Sequence, residues 1–280
     1  MVTSLLECVV NVSEGQRAEV VAEIAGAAGP TVLDVHRDEH HNRAVITLAG
    51  AAGPVADAVR RLAAMTVDRL ELGSHEGVHP RIGVLDVVPW VALCGWPVTP
   101  GPWQLAVDAR DAFARWAGDV LELPCFVFGT ERSLPDIRRE AWKTLMPATG
   151  PPFPHPTAGA AAVGARPVLV AYNLWLAGAD LDLARRLAAG LRGPAVRALG
   201  LQVGDAVQVS CNLIDPESVG PAAVFDAVAT RSGVDRAELV GLVPARVLDA
   251  IPEHRWRELD LDRSRTIEAR LEQTGLDGGS

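Results

Sequence analysis

The chain has 280 residues, enough for one large domain or two smaller ones with separate cores. Hydrophobic residues at 49% and charged residues at 22% are the proportions of a globular protein. A net charge of −9 argues against nucleic acid or an anionic membrane as the main partner, and leaves local basic groups free to hold an anionic small molecule.

No basic stretch followed by an apolar one opens the sequence, so no signal peptide is expected, and the apolar runs are too short to span a membrane. Leu5–Val12 reads as a strand, Gln16–Ala27 as a helix, and Thr31–Val35 and Ala44–Ala49 as strands. A helix over Pro54–Leu70 follows, with Val55, Val59, Leu62 and Met65 at helical spacing, and then a strand over Val84–Leu93. Pro102 is placed to start a helix running to about Asp119, and Cys125–Phe128 is a short strand. In the second half, Pro167–Leu174 is a strand and Leu181–Leu191 a helix. Ala198–Val203 and Ala206–Ile214 are strands joined by the turn Gly204-Asp205, followed by a helix over Pro221–Arg231 and a strand over Glu238–Leu242.

Each half is therefore a βαββαβ unit, and the expected class is α/β (α+β) with two ferredoxin-like subdomains, 1–163 and 164–280. Helices in such a unit cover one face of the sheet, so two bare faces can face each other around a ligand cleft or tunnel. The connection 147–164, rich in Pro, Gly and Ala, is too long for an ordinary linker and is expected to be functional.

His75-Glu76-Gly77-Val78-His79 matches the H-E-x-x-H pattern of zinc protease helices. Gly77 weakens a helix there, and Pro80 pushes His79 toward extended backbone, so the motif reads as a loop presenting His79. Gly159 and Gly164 have phosphate-loop spacing, but Ala165-Arg166 stands where Lys-Ser/Thr is needed, which argues against a nucleotide site. The polar run from His36 to Arg43 is either a solvated connection or part of a ligand site. At the exit of the first strand, Asn11 and Ser13 serve either to cap the next helix or to bind a ligand. Asn212 poses a similar choice, as a polar amide in an apolar strand. Cys8, Cys94, Cys125 and Cys211 lack metal spacing and read as buried free thiols of a reducing cytoplasm. With Lys143 the single lysine, Schiff-base chemistry is disfavoured.

The segments Glu7–Gly15 (E-C-V-V-N-V-S-E-G), His41–Arg43 (H-N-R), His79–Pro89 (H-P-R-I-G-V-L-D-V-V-P) and His155–Arg166 (H-P-T-A-G-A-A-A-V-G-A-R) resemble the formiminotransferase family. So do Asn173, Gln208–Asp215 (Q-V-S-C-N-L-I-D) and Leu239–Pro244 (L-V-G-L-V-P), and the likeness covers nearly the whole chain. The resemblance implies transfer of a formimino group between N-formimino-L-glutamate and N5 of tetrahydrofolate, in histidine degradation. It implies two α/β subdomains around a ligand tunnel, tetrahydrofolate as co-substrate, no metal, and a cytoplasmic homodimer or larger assembly. It places the catalytic histidine at His79 and the folate-contacting loop at Gly150–Gly159, including Pro151, His155, Pro156 and Thr157. Asn11, Glu14, His36, Arg43, Asn173 and Asn212 become candidates for binding substrate or stabilising its changing charge.

The chain departs from the family pattern at three positions. His36 stands where animal members have Asp, Val10 where Pro is usual, and Trp175 where Asn is common. Without a cyclodeaminase segment, a formimino product is expected to pass to another protein. A folate-binding protein with weak or altered catalysis is the alternative reading, and a zinc hydrolase the third.

Overall fold

The computed structural model describes residues 4–77, 80–96 and 98–276, and the chain divides into two compact units. One is Met1–Arg166 together with Leu271–Ser280, the other Pro167–Arg270.

The first unit opens with β1 (Ser4–Val12), α1 (Ala18–Ala28), β2 (Val32–Asp38), β3 (Arg43–Ala51), α2 (Ala52–Arg69) and β4 (Leu85–Cys94). The order β2-β3-β1-β4 with all-antiparallel pairing is the ferredoxin-like arrangement expected for this element order. Strand alternation explains which side chains are inside. Leu6, Cys8, Val10 and Val12 of β1 join Ile46 and Leu48 of β3 in the core with Ile24 of α1 and Val55, Val59 and Leu62 of α2. Met65, at the same helical spacing, is only partly buried against that core. Each fully buried aliphatic side chain contributes roughly 1.5–3 kcal/mol.

The sheet continues beyond this unit through β5 (Thr99–Pro100), α3 (Trp103–Val120), β6 (Cys125–Phe128), α4 (Leu134–Glu140) and β7 (Ala161–Ala165). β7 lies between β4 and β6 and is parallel to both. Val163 is its single strand former among alanines and a glycine, so the end of the 147–164 connection concealed an internal strand. The packing accounts for the composition: a Cβ on Gly164 would lie 2.1 Å from the ring of Phe128 on β6. Only a residue without a side chain lets that ring lie on the strand. α4 was also absent from the sequence reading; it packs Leu134 and Ile137 on Val87, Phe126, Phe128 and Ala162. This is the sheet face that α1 and α2 leave bare.

The second unit repeats the plan in β8 (Val170–Ala177), α5 (Leu181–Leu191), β9 (Val196–Val203), β10 (Ala206–Leu213), α6 (Pro221–Ala229) and β11 (Gly233–Val240). Its antiparallel order β11-β8-β10-β9 is the ferredoxin-like order again. Tyr172, Leu174, Val209 and Cys211 form its core with Ala184 and Leu187 of α5 and Val224 of α6. Two helices end the described chain, α7 (Ala245–Asp249) and α8 (Ile267–Thr274).

The observed division falls at Arg166/Pro167, a few residues beyond the expected 163/164, because β7 is bonded into the first sheet as far as Ala165. The chain from Leu271 returns to the first unit, where Leu276 approaches Gly50. No helix among the described residues is long and apolar enough to cross a membrane. Cys8, Cys125 and Cys211 are buried free thiols, and burial pushes the last two up to about 12; Cys94 is half-buried.

Candidate active site

The polar residues at one end of the first sheet gather on the face opposite α1 and α2. His36 pairs with Val45, Val45 with Asn11, and Asn11 with Val87, so one row crosses four strands. Two residues before Val45, Arg43 shares this face by strand periodicity. A β-bulge adds the next group. From the Asn11–Val87 pair to the Val12–Leu85 pair, β1 advances one residue and β4 two, leaving Asp86 as the extra residue. The bulge turns Asp86 to the same face as Val87, where Arg138 of α4 clasps it. Arg138 Nη1 donates to Asp86 Oδ1 at 2.7 Å, Nη2 donates to Oδ2, and the Ile82 N–H donates to Oδ1 at 2.8 Å. Asp86 is 2% exposed.

Beside this pair, a loop is pinned by Asn42, which sits at φ +47°. Asn42 Oδ1 accepts the Gly15 N–H at 2.8 Å, and its Nδ2 donates to the Glu76 carbonyl at 2.8 Å. His75 Nε2 bonds the Asn42 carbonyl at 2.9 Å, while Nδ1 accepts from Arg81 Nη1. Those two bonds fix the neutral tautomer with the proton on Nε2. With both ring nitrogens engaged, His75 has no lone pair for a metal. Its backbone is extended (φ −81°, ψ 123°), so the zinc-helix pattern is not built as a helix at its first histidine. Gly77 is required for a different reason: a Cβ there would lie 2.6 Å from the His41 carbonyl oxygen. His79, the expected catalytic residue, lies outside the described residues.

The loop from Gly150 to Gly159 meets the same region. The His155 and Gly159 backbones bond each other, at 2.8 and 3.1 Å, and Gly159 bridges to Gly83. Val84 N–H donates to Ala158 O and Ala160 N–H to Ile82 O, which ties the loop to the residues just after Arg81. His155 Nδ1 accepts the Ala158 N–H at 3.0 Å and the Thr157 N–H at 3.3 Å, leaving Nε2 as the ring's donor. Pro156 is exposed, Gly150 and Pro151 begin the loop, and Phe153 within it is 61% exposed.

At the exit of β1, the capping alternative is not the one that Asn11 and Ser13 follow. Ser13 does not cap α1; its hydroxyl donates to Gly83 O and its N–H to Val84 O. Asn11 Nδ2 donates to Val9 O. Glu14 supplies the turn's acceptors, taking the Gln16 and Arg17 N–H groups, both at 2.8 Å, and the Arg17 guanidinium. Burial alone would raise the Glu14 carboxyl, but these bonds hold it below its ordinary value. Its oxygens thus serve the chain's own turn into α1.

Asp38 lies two residues beyond His36 and is held by His41, whose ring Nδ1 is 2.6 Å from Oδ2 and whose N–H donates to Oδ1. Burial would raise the Asp38 carboxyl, yet the bonds from His41 outweigh it and hold the group at about 2. Relative to an ordinary aspartate near 3.9, a depressed carboxyl stabilises the fold above pH ~4 by roughly 2–3 kcal/mol. That stabilisation is lost as pH falls through the folded value. Asp38→Asn is expected to lower the urea midpoint at pH 7 and to differ little from the parent at pH 2. Equal destabilisation at both pH values would refute this assignment.

Asn173 and Asn212 belong to the second unit. Asn173 Nδ2 and Trp175 Nε1 both donate to Glu238 Oε2, at 3.2 and 2.8 Å, and Arg236 lies 4.2 Å over the Trp175 ring. Tryptophan in place of asparagine at 175 thus keeps an N–H donor. Of the two alternatives for Asn212, the buried amide is not the one observed: near the end of β10 it is exposed.

Arg81 and Asp86 stand within the His79–Pro89 motif, where nothing in the sequence marks their roles, and His75 is marked only by the H-E-x-x-H pattern. Arg138, 52 residues from Asp86, carried no signal. Among the described residues no group of three or more His, Cys, Asp or Glu is placed to hold a metal ion.

Residues 5–166 match the family model described as formiminotransferase domain, N-terminal subdomain. The glutamate formimidoyltransferase of Streptococcus pyogenes serotype M1 is 30% identical, over 94% of this chain and 97% of its own length. That of Thermoplasma acidophilum is 28% identical, over 96% and 98%. The formimidoyltransferase-cyclodeaminase of Gallus gallus is 31% identical over 98% of this chain, which spans 57% of that longer protein. By a family match across the first unit and relatives matched almost end to end, the chain belongs to the formiminotransferase family.

Proposed function

We propose that the protein transfers a formimino group between N-formimino-L-glutamate and N5 of tetrahydrofolate, as a step in histidine degradation, and acts as a cytoplasmic homodimer. The carrying observation is the end-to-end likeness to the Streptococcus enzyme named glutamate formimidoyltransferase, with 94% of one chain aligned to 97% of the other. Tetrahydrofolate enters as a co-substrate.

The chemistry needs a proton carrier. The N5 amine attacks the amidine carbon, giving a tetrahedral intermediate, and the glutamate nitrogen must gain a proton before its bond to carbon breaks. A histidine can take the proton from N5 and return it to the leaving nitrogen, and His79 is the proposed carrier. Its described neighbours support that role. Gly77 packs on His41, and Arg81 is held by His75, so the chain is anchored on both sides of the histidine. The Gly150–Gly159 loop is the proposed folate contact. The exposed Phe153 ring offers a flat surface and His155 a donor of fixed tautomer, which suits a heterocycle edged with acceptors. His36, Asn11 and Arg43 share the sheet face beside it, and Asn173 and Asn212 are proposed contacts from the second unit.

Incubation of the purified protein with tetrahydrofolate and N-formimino-L-glutamate tests this directly. The expected result is 5-formiminotetrahydrofolate formation that requires both compounds. Folate binding without transfer would reject formiminoglutamate as the donor.

A further inference from the structure

Three guanidinium groups converge on one carboxylate in the first unit. Asp86 is taken by Arg138 through both oxygens. Arg43 and Arg81 each feel the charges of Asp86 and Arg138. Arg43 Nε and Arg81 Nη2 are buried N–H donors without an acceptor among the described residues, and Asn11 Oδ1, on the same face as Arg43, is a buried acceptor without a donor. Arg81 is also held in place: Nη1 is spent on His75, and Nη2 lies 2.9 Å from the position a Cβ would take on Gly77. Burial, opposed by Asp86 and reinforced by Arg138, pushes Arg43 down to about 10, so it stays charged near neutrality. A chain of net charge −9 thus gathers three half-buried arginines around Asp86, with Asp38 as the further charge acting on Arg43, and keeps buried N–H donors to spare. Half-buried arginines in that state fit an anion with planar oxygens.

We propose that Arg43 and Arg81 form a carboxylate-binding site, positioned by His75 and the Asp86–Arg138 pair, that takes a carboxylate of the amino-acid substrate. This assignment of ligand rests on the proposed transfer reaction; the existence of a carboxylate site does not. The folate glutamate tail carries the same chemistry, so the test separates the two sources.

Glutarate, a dicarboxylate with no amine, is the probe. Calorimetric titration of the whole protein is expected to show glutarate binding, weakened at least tenfold in Arg81→Gln and less in Arg81→Lys, which keeps charge but loses the planar fork. In turnover assays glutarate is expected to compete with N-formimino-L-glutamate and not with tetrahydrofolate. Arg43→Gln is expected to raise KM for the amino-acid substrate while KM for folate stays within about twofold. Absence of glutarate binding, or unchanged binding in a folded Arg81→Gln, overturns the site. Competition with tetrahydrofolate alone overturns the amino-acid assignment in favour of the folate tail. If the variants do not fold, the competition pattern in the parent protein decides. Glutarate binding that depends on Arg81, without any formimino transfer, supports the site while rejecting the reaction.

Discussion

Asp86→Asn is expected to cost about 3–5 kcal/mol of stability, the usual range for removing one partner of a buried ion pair. The reason is the company Asp86 keeps. It is 2% exposed, it satisfies both arms of Arg138 and the Ile82 N–H, and its charge also offsets Arg43 and Arg81. An asparagine fills the same volume but leaves these guanidiniums without that counter-charge in a buried region, and its amide N–H cannot accept the second arm of Arg138. The position is also the extra residue of the β4 bulge, so loss of the ion pair releases the restraint that holds the bulge against α4. Urea unfolding of Asp86→Asn beside the parent gives the cost. A double variant, Asp86→Leu with Arg138→Leu, removes both charges and is expected to be less destabilised than the sum of the two single changes. A cost below about 1 kcal/mol for Asp86→Asn would mean that the pair is screened and that the converging arginines do not depend on it.

That ion pair also shows where the sequence stops speaking. Helical spacing locates α1 through α3, each of which buries one face, while β1, β3 and β4 are located by continuous apolar runs bounded by polar residues and are buried along almost their whole length. The same logic located both ferredoxin-like repeats. It failed at β7, where a single valine among alanines and the glycine under the Phe128 ring gives no alternation although all five residues are buried. It failed at α4 because seven residues are too few to show a period. At the candidate site, the strand-end positions of Arg43 and Asn11 were legible from their motifs, and strand periodicity puts both on one sheet face. The bulge at Asp86 was not legible, because one extra residue changes the side-chain direction without changing composition. The bonds of Glu14 to Gln16 and Arg17 were not legible, because a carboxylate at a strand exit looks alike whether it serves the turn or a ligand. At His75 the H-E-x-x-H pattern is extended backbone and not helix. What the pattern hid was a ring whose nitrogens join Arg81 to Asn42.

His79→Ala is expected to lower kcat for formimino transfer by about 10²–10⁴-fold, the range for loss of a general acid/base. Alanine is a suitable replacement at this position because Pro80 restricts any residue before it to extended backbone, so His79 and Ala share the same local preference. A change confined to the proton carrier should leave KM for tetrahydrofolate within about threefold, since binding is made by other residues. Added imidazole should then restore part of the rate, and the restored rate should follow the fraction of neutral imidazole as pH is raised. His75→Ala separates this role from a structural one. It leaves His79 intact but removes the acceptor for Arg81 and the bond to the Asn42 carbonyl. Its defect should therefore fall mainly on KM for the amino-acid substrate and should not respond to imidazole. Turnover by His79→Ala within a few-fold of the parent would remove His79 from the mechanism and return the search for the proton carrier to the other titratable groups of the first sheet's open face, His36 first among them.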